Sequence, residues 1–145
     1  MEHFRPLVRH SIVYSSILWI IVILFSAVAA QIPNYKEYLT KLGIILETKE
    51  YEKAWNAMRF ANTAKRGGHE VKVFLMGEAV EIEELHHDKW DVAEQLALFH
   101  DAEGEVLACG TCLTSRKMEG SDVCPISTML DCLRMVEWAD KTVTF

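Results

Sequence analysis

Between Lys41 and Phe145 short apolar runs alternate with amphipathic stretches, a pattern that leaves room for little besides parallel strands joined by helices. Leu42-Gly43-Ile44-Ile45-Leu46 is a continuous apolar run, as in a strand covered on both faces. From Glu50 to Arg66 the residues Ala54, Ala57, Met58, Ala61 and Ala64 recur at helical spacing, a small-residue stripe suited to lying close on a sheet, and Gly67-Gly68 ends it. Val71 to Met76 forms the second strand. Asp91 with Glu94 has capping-box spacing before Val92, Leu96 and Phe99, and Gly104 breaks that helix. Val106 to Ala108 is the third strand. Leu113 to Met118 is expected as a short helical stretch; Ser127 then caps a helix with Leu130, Leu133 and Val136 as its apolar positions, and Thr142 to Phe145 closes the chain as a strand. The order β-α-β-α-β-α-β implies right-handed crossovers. The expected fold is an α/β three-layer αβα sandwich with a mostly parallel four- or five-stranded sheet, preceded by one apolar N-terminal helix.

That helix is Ser11 to Ala30, twenty residues without a charge, long enough to cross a bilayer. Residues 1–10 form its flank, 31–40 a polar linker and 41–145 the folded domain. Arg5 and Arg9 precede the run while Lys36 and Lys41 follow it, so the charge bias leaves both topologies open. Ala27-Val28-Ala29 also has the form of a signal-peptide cleavage box. The expectation is a membrane-anchored protein held by residues 11–30. Should translation begin near Leu39-Thr40-Lys41 instead, the domain is cytoplasmic. Charge divides unevenly: residues 1–40 carry three Lys/Arg against two Asp/Glu, residues 41–145 twelve against nineteen. An acidic domain repels phosphate backbones, which argues against nucleic acid as a partner.

The third strand runs directly into Cys109-Gly110-Thr111-Cys112. Ligands of open α/β sheets bind at the carboxyl ends of parallel strands, and a helix starting there offers unpaired N–H groups to a thiolate. Arg116 lies one turn beyond Cys112, where a guanidinium favours a thiolate and suits an anionic sulfur substrate such as thiosulfate. Taken alone, Cys-x-x-Cys serves redox and metal sites alike, and a structural pair or a metal half-site stays open. Cys124, before Pro125, is a candidate secondary or resolving thiol, whereas Cys132 reads as a small buried helix residue. His86-His87 sits in the acidic stretch Glu81 to Asp88. Adjacent residues on a helix point apart, so a solvated charged loop is the expectation there rather than a metal site with Asp88. Trp55 and Met58 read as packing residues, and Trp90 as a core or surface position in preference to a subunit contact.

Several segments together resemble the DsrE/DsrF-like family of sulfur-relay proteins, in particular members that carry a Cys-x-x-Cys. They are Lys41-Leu42-Gly43-Ile44, Glu52-Lys53-Ala54-Trp55-Asn56-Ala57, Arg59-Phe60-Ala61, Val73-Phe74-Leu75-Met76-Gly77-Glu78, Cys109-Gly110-Thr111-Cys112 and Gly120-Ser121-Asp122-Val123-Cys124-Pro125. The resemblance spans residues 41–145. It implies a homo-oligomeric αβα sandwich that carries sulfur covalently, with Cys109 as the working cysteine, Cys112 as an added thiol, and Gly110, Thr111 and Arg116 around the substrate. The implied chemistry is capture of sulfane sulfur from thiosulfate or polysulfide as a persulfide or thiosulfonate, which a sulfur-accepting protein then removes; no cofactor and no metal are required. The segment before Lys41 is not part of the pattern. Two other classes stay in view. A thiol–disulfide oxidoreductase would use the Cys109/Cys112 pair, although Gly110 and Thr111 replace the aromatic and proline usual near a thioredoxin-type site. A zinc or iron–sulfur module would use Cys109, Cys112, Cys124 and Cys132, a spacing that lacks a second Cys-x-x-Cys.

Overall fold

The structure, a computed structural model, describes residues 39–145. Five parallel strands lie in the order β4-β3-β2-β1-β5. They are β1 (Lys41–Leu46), β2 (Glu70–Leu75), β3 (Glu105–Cys109), β4 (Ile126–Ser127) and β5 (Lys141–Thr144). The helices are α1 (Tyr51–Arg66), α2 (Val92–Asp101), α3 (Gly110–Ser115) and α4 (Met129–Trp138), with a 3₁₀ helix over Gly77–Glu84. The steps β1 to β2 and β2 to β3 move one way across the sheet, whereas α4 carries the chain back from β4 to the far edge at β5. Right-handed crossovers in opposite directions place α1 and α2 on one face and α4 on the other. The sheet therefore has helices on both sides, as expected.

Why each segment takes its form is largely local. Glu50 caps α1 by accepting from the backbone N–H groups of Glu52 and Lys53. All five residues of the small stripe, Ala54, Ala57, Met58, Ala61 and Ala64, are buried. Asn62, buried beside them, donates to the Gln95 carbonyl at 2.8 Å, so its amide is not stranded in the α1–α2 contact. Asp91 accepts from Glu94 N–H at 2.9 Å and starts α2, whose Val92, Leu96 and Phe99 point inward. Gly104 is required behind it: a Cβ there would lie 2.4 Å from the Phe99 ring. Ile44, Leu46, Phe74, Leu75 and Phe99 are fully buried, each removing apolar surface worth about 1.5–3 kcal/mol. Trp90 stacks edge-on to Trp55 with centroids 4.9 Å apart.

Four expectations are corrected. Ile126 and Ser127 form a strand, β4, pairing Ala108 with Ile126 and Cys109 with Ser127. A two-residue element carries no periodicity, so only its neighbour β3 defines it. The cap of α4 is consequently Thr128, not Ser127: Thr128 and Asp131 complete a reciprocal capping box. On α4 the buried positions are Cys132 and Met135, while Leu130, Leu133 and Val136 are exposed, Leu133 at 52%. The physical reason is at Gly43 of β1, where a Cβ would lie 3.2 Å from Ala139 Cβ and 3.6 Å from the Met135 side chain, so the smaller stripe docks on the sheet. Finally, Glu81 to Glu84 of the stretch expected to be a charged loop belong to the 3₁₀ helix, with Ile82 buried, while His86 and His87 lie in a loop as expected.

The membrane-anchored localisation is also corrected: among the described residues no helix is long and apolar enough to cross a membrane. The segment 11–30 on which that expectation fell, with its flank 1–10 and nearly all of the linker 31–40, lies outside the described residues.

Candidate functional site

Cys109 ends β3 and forms the N-cap of α3, and Cys112 lies in the first turn of that helix. The helix begins at Gly110, earlier than the expected Leu113, because the strand passes directly into it. This junction holds the two sulfurs 2.7 Å apart, with the Cys112 sulfhydryl donating toward Cys109 Sγ. Next door, β2 ends at Leu75 and Gly77 donates its backbone N–H to Cys112 Sγ at 3.3 Å. Gly77 has φ +56, and a Cβ on it would lie 2.9 Å from the Glu47 carbonyl oxygen. Only glycine can take this turn and present its N–H to the thiol.

The two thiols differ in environment. Cys109 is 5% exposed, whereas Cys112 is half-buried. Burial pushes the Cys109 thiol up, the neighbouring Cys112 sulfur adds to this, and the N–H groups of Cys112 and Thr111 pull against it without reversing it. Both cysteines line a cleft of about 420 Å³ whose other walls are Met76, Gly110, Thr111, Ile126, Ser127, Thr128 and Met129. Gly110 permits the narrow side of this cleft, since a Cβ would meet Ile126 Cγ2 at 3.0 Å and the Ser127 carbonyl at 3.3 Å. A second cavity, about 460 Å³ and bounded by Lys49, Tyr51, Glu81, Glu84, Leu85 and Met118, contains no thiol. The smaller cleft carries the nucleophiles and is the candidate site.

Arg116 is placed differently from Gly110 and Thr111. Its Nε donates to Glu81 Oε1 at 2.8 Å and its Nη1 to the Cys112 carbonyl at 3.2 Å, and it is not among the residues lining the cleft. Lys49 and Arg116 both bond the Glu81 carboxylate and hold its pKa below the ordinary value despite partial desolvation. The guanidinium thus ties the end of α3 to the 3₁₀ helix. Cys124 is 3% exposed, and burial, with the Glu83 charge nearby, pushes its thiol up to about 12. Its backbone is held by Ser121, whose Oγ accepts the Cys124 N–H at 2.9 Å. Cys132 is buried on α4, and burial raises its thiol too.

His86 pairs with Asp91 at 3.2 Å, and His87 Nδ1 accepts from the Lys89 and Trp90 N–H groups. Among the described residues no group of three or more His, Cys, Asp or Glu is placed to hold a metal ion. The four-thiol metal reading therefore finds no support in this geometry. Sequence reasoning assigned no site role to Gly77, Met76, Ile126, Thr128 and Met129. Apart from the Thr128 hydroxyl, which is used in capping α4, they offer apolar side chains or backbone with no chemical signature, and only the adjacency of β2, β3 and β4 collects them.

Comparison with known proteins gives concordant results. A conserved protein of unknown function from Bacteroides thetaiotaomicron has a similar structure, with a TM-score of 0.56 and 16% identity over 72% of this chain and 95% of its own, a likeness of fold. An uncharacterized protein of Methanocaldococcus jannaschii is 31% identical over 113 residues, spanning 72% of this chain and 99% of that protein. Another from Methanopyrus kandleri is 32% identical over 117 residues, spanning 75% and 97%. Residues 40–145 match the model of one family along the whole of the folded region just described, and the chain therefore belongs to the DsrE/DsrF-like family.

Proposed function

We propose that this protein is a sulfur carrier in which Cys109 accepts sulfane sulfur from thiosulfate or polysulfide and holds it as a persulfide for a partner protein. The observation that carries this reading is the pair of thiols 2.7 Å apart in a cleft at the carboxyl edge of a parallel sheet. A donor entering the cleft meets Gly110 and Thr111 beside Cys109, and the N–H groups of Thr111 and Cys112 oppose the cost of forming a buried thiolate. Membership of the DsrE/DsrF-like family supports a sulfur-relay role in general terms. Arg116 acts by positioning Cys112 through its carbonyl while its charge is paired with Glu81. The exposed residues Leu130, Leu133 and Val136 on α4 form the surface through which copies of the chain assemble.

The test is sulfur capture by the full chain. Incubation with thiosulfate is expected to release sulfite as the outer sulfur is taken, and peptide mass taken immediately after loading to place the captured atom on Cys109. Cys109→Ser is expected to do neither. Equal sulfite release and equal labelling by the serine variant would remove the assignment.

A further inference from the structure

A carrier needs one thiol, yet this site holds two, and their spacing has a chemical consequence. Sulfur added to Cys109 extends outward from Sγ, but Sγ itself stays bonded to Cβ and keeps its place. The Cys112 sulfur already sits 2.7 Å from that atom, against roughly 2.05 Å for a completed disulfide. Both residues lie at the β3–α3 junction, so the bond between them closes a single helical turn. Cys112 is also the more accessible of the two, and its sulfur accepts the Gly77 N–H while contacting Cys109 Sγ.

Resting on the carrier reading above, we propose that Cys112 resolves the Cys109 persulfide, expelling the carried sulfur as sulfide and leaving a Cys109–Cys112 disulfide. The site then has a second activity, thiol-driven reduction of sulfane sulfur, in competition with delivery to an acceptor. In this step the Cys112 thiolate attacks Cys109 Sγ, the Sγ–S bond to the carried atom breaks, and that atom departs with the electron pair as hydrosulfide, the Cys112 proton remaining with the released sulfide or solvent. Sulfane sulfur is reduced to sulfide while the two cysteine sulfurs are oxidised to the disulfide, so the step needs no outside oxidant. A dithiol reductant then resets the pair by ordinary exchange. Sulfur that meets an acceptor promptly is relayed, and sulfur that does not is discharged.

The experiment uses the full chain, reduced, loaded with thiosulfate or polysulfide, and desalted without oxygen; intact mass and released sulfide are then followed together. The Cys112→Ser variant is expected to keep its sulfur adduct on Cys109 and to release no sulfide. Wild type is expected to lose the adduct at least roughly tenfold sooner, since the attacking thiol is already in place. It should end as the Cys109–Cys112 disulfide with one sulfide released for each disulfide formed. An adduct that persists equally in wild type and Cys112→Ser overturns the resolution step while leaving the carrier reading intact. Disulfide without matching sulfide also overturns it, because the oxidant then came from elsewhere. Sulfur held on Cys112 in Cys109→Ser, with none on Cys112→Ser, reverses the roles and overturns it as stated. Failure of Cys112→Ser and wild type alike to capture sulfur or form the disulfide from either donor sinks the carrier reading and this inference together.

Discussion

Cys124 gives the most quantitative prediction, because its burial converts into a dependence of stability on pH. Its thiol is pushed from the ordinary 9.0 to about 12 in the folded protein, chiefly by burial and secondarily by Glu83. A folded pKa above the unfolded value means that the native state holds its proton where the unfolded chain has lost it. The associated stability is complete below the unfolded value and disappears as pH rises toward the folded one. At roughly 1.4 kcal/mol per pH unit the full loss is about 4 kcal/mol, and at about pH 10.5 it is about 2 kcal/mol. Cys124→Ala removes this contribution and adds a small cavity cost of about 1–2 kcal/mol that does not depend on pH. Urea unfolding of both proteins at about pH 8 and about pH 10.5 isolates the effect, since the other titrating groups are common to both. Wild type should lose about 2 kcal/mol more than the variant across this interval. Parallel losses would show that Cys124 is not shielded, and would return it to consideration as a working thiol.

Gly77→Ala forces a side chain into φ +56 against the Glu47 carbonyl, and is expected to cost about 1–3 kcal/mol in urea unfolding while slowing alkylation of Cys112 as the turn shifts its N–H. Unchanged stability together with unchanged alkylation would dismiss that turn as a support of the site. Arg116→Ala is expected to raise the thiosulfate concentration needed for half-maximal sulfite release, with Arg116→Lys recovering only part of the loss because the Nε and Nη1 contacts need the guanidinium fork. An unaltered concentration dependence would confine Arg116 to its Glu81 contact. Leu133→Glu, on the exposed face of α4, is expected to lower the oligomeric mass by sedimentation without altering the far-ultraviolet circular dichroism. Retention of the wild-type mass would refute this face of α4 as an assembly surface.

Much of the fold was legible in the order of residues. Period and punctuation alone located β1, β2 and β3, the small-residue face of α1 and the inward face of α2. These elements declare themselves through neighbours three or four positions away, as Ala54, Ala57, Met58 and Ala61 do. The thiols were legible too, since Cys109-Gly110-Thr111-Cys112 follows an apolar run that reads as a strand.

What local pattern could not decide was which surfaces meet. On α4 two stripes compete, Leu130-Leu133-Val136 and Cys132-Met135, and the larger apolar stripe is the more conspicuous in sequence. The smaller one is buried, and Gly43 on β1, far away in the chain, leaves room for Met135 and Ala139 to lie close to the sheet. Likewise β4 is two residues long and exists only through its pairing with β3. The same holds at the site. Sequence placed Cys109 and Cys112 at a strand end, but the Gly77 N–H, the cleft walls from β4 and α4, the attachment of Arg116 to Glu81 and the 2.7 Å approach of the two sulfurs arise from adjacent strands and helices. Periodicity reports a residue's relation to its own segment. Burial and hydrogen-bond partners are set by the segment packed against it, which only the tertiary structure supplies.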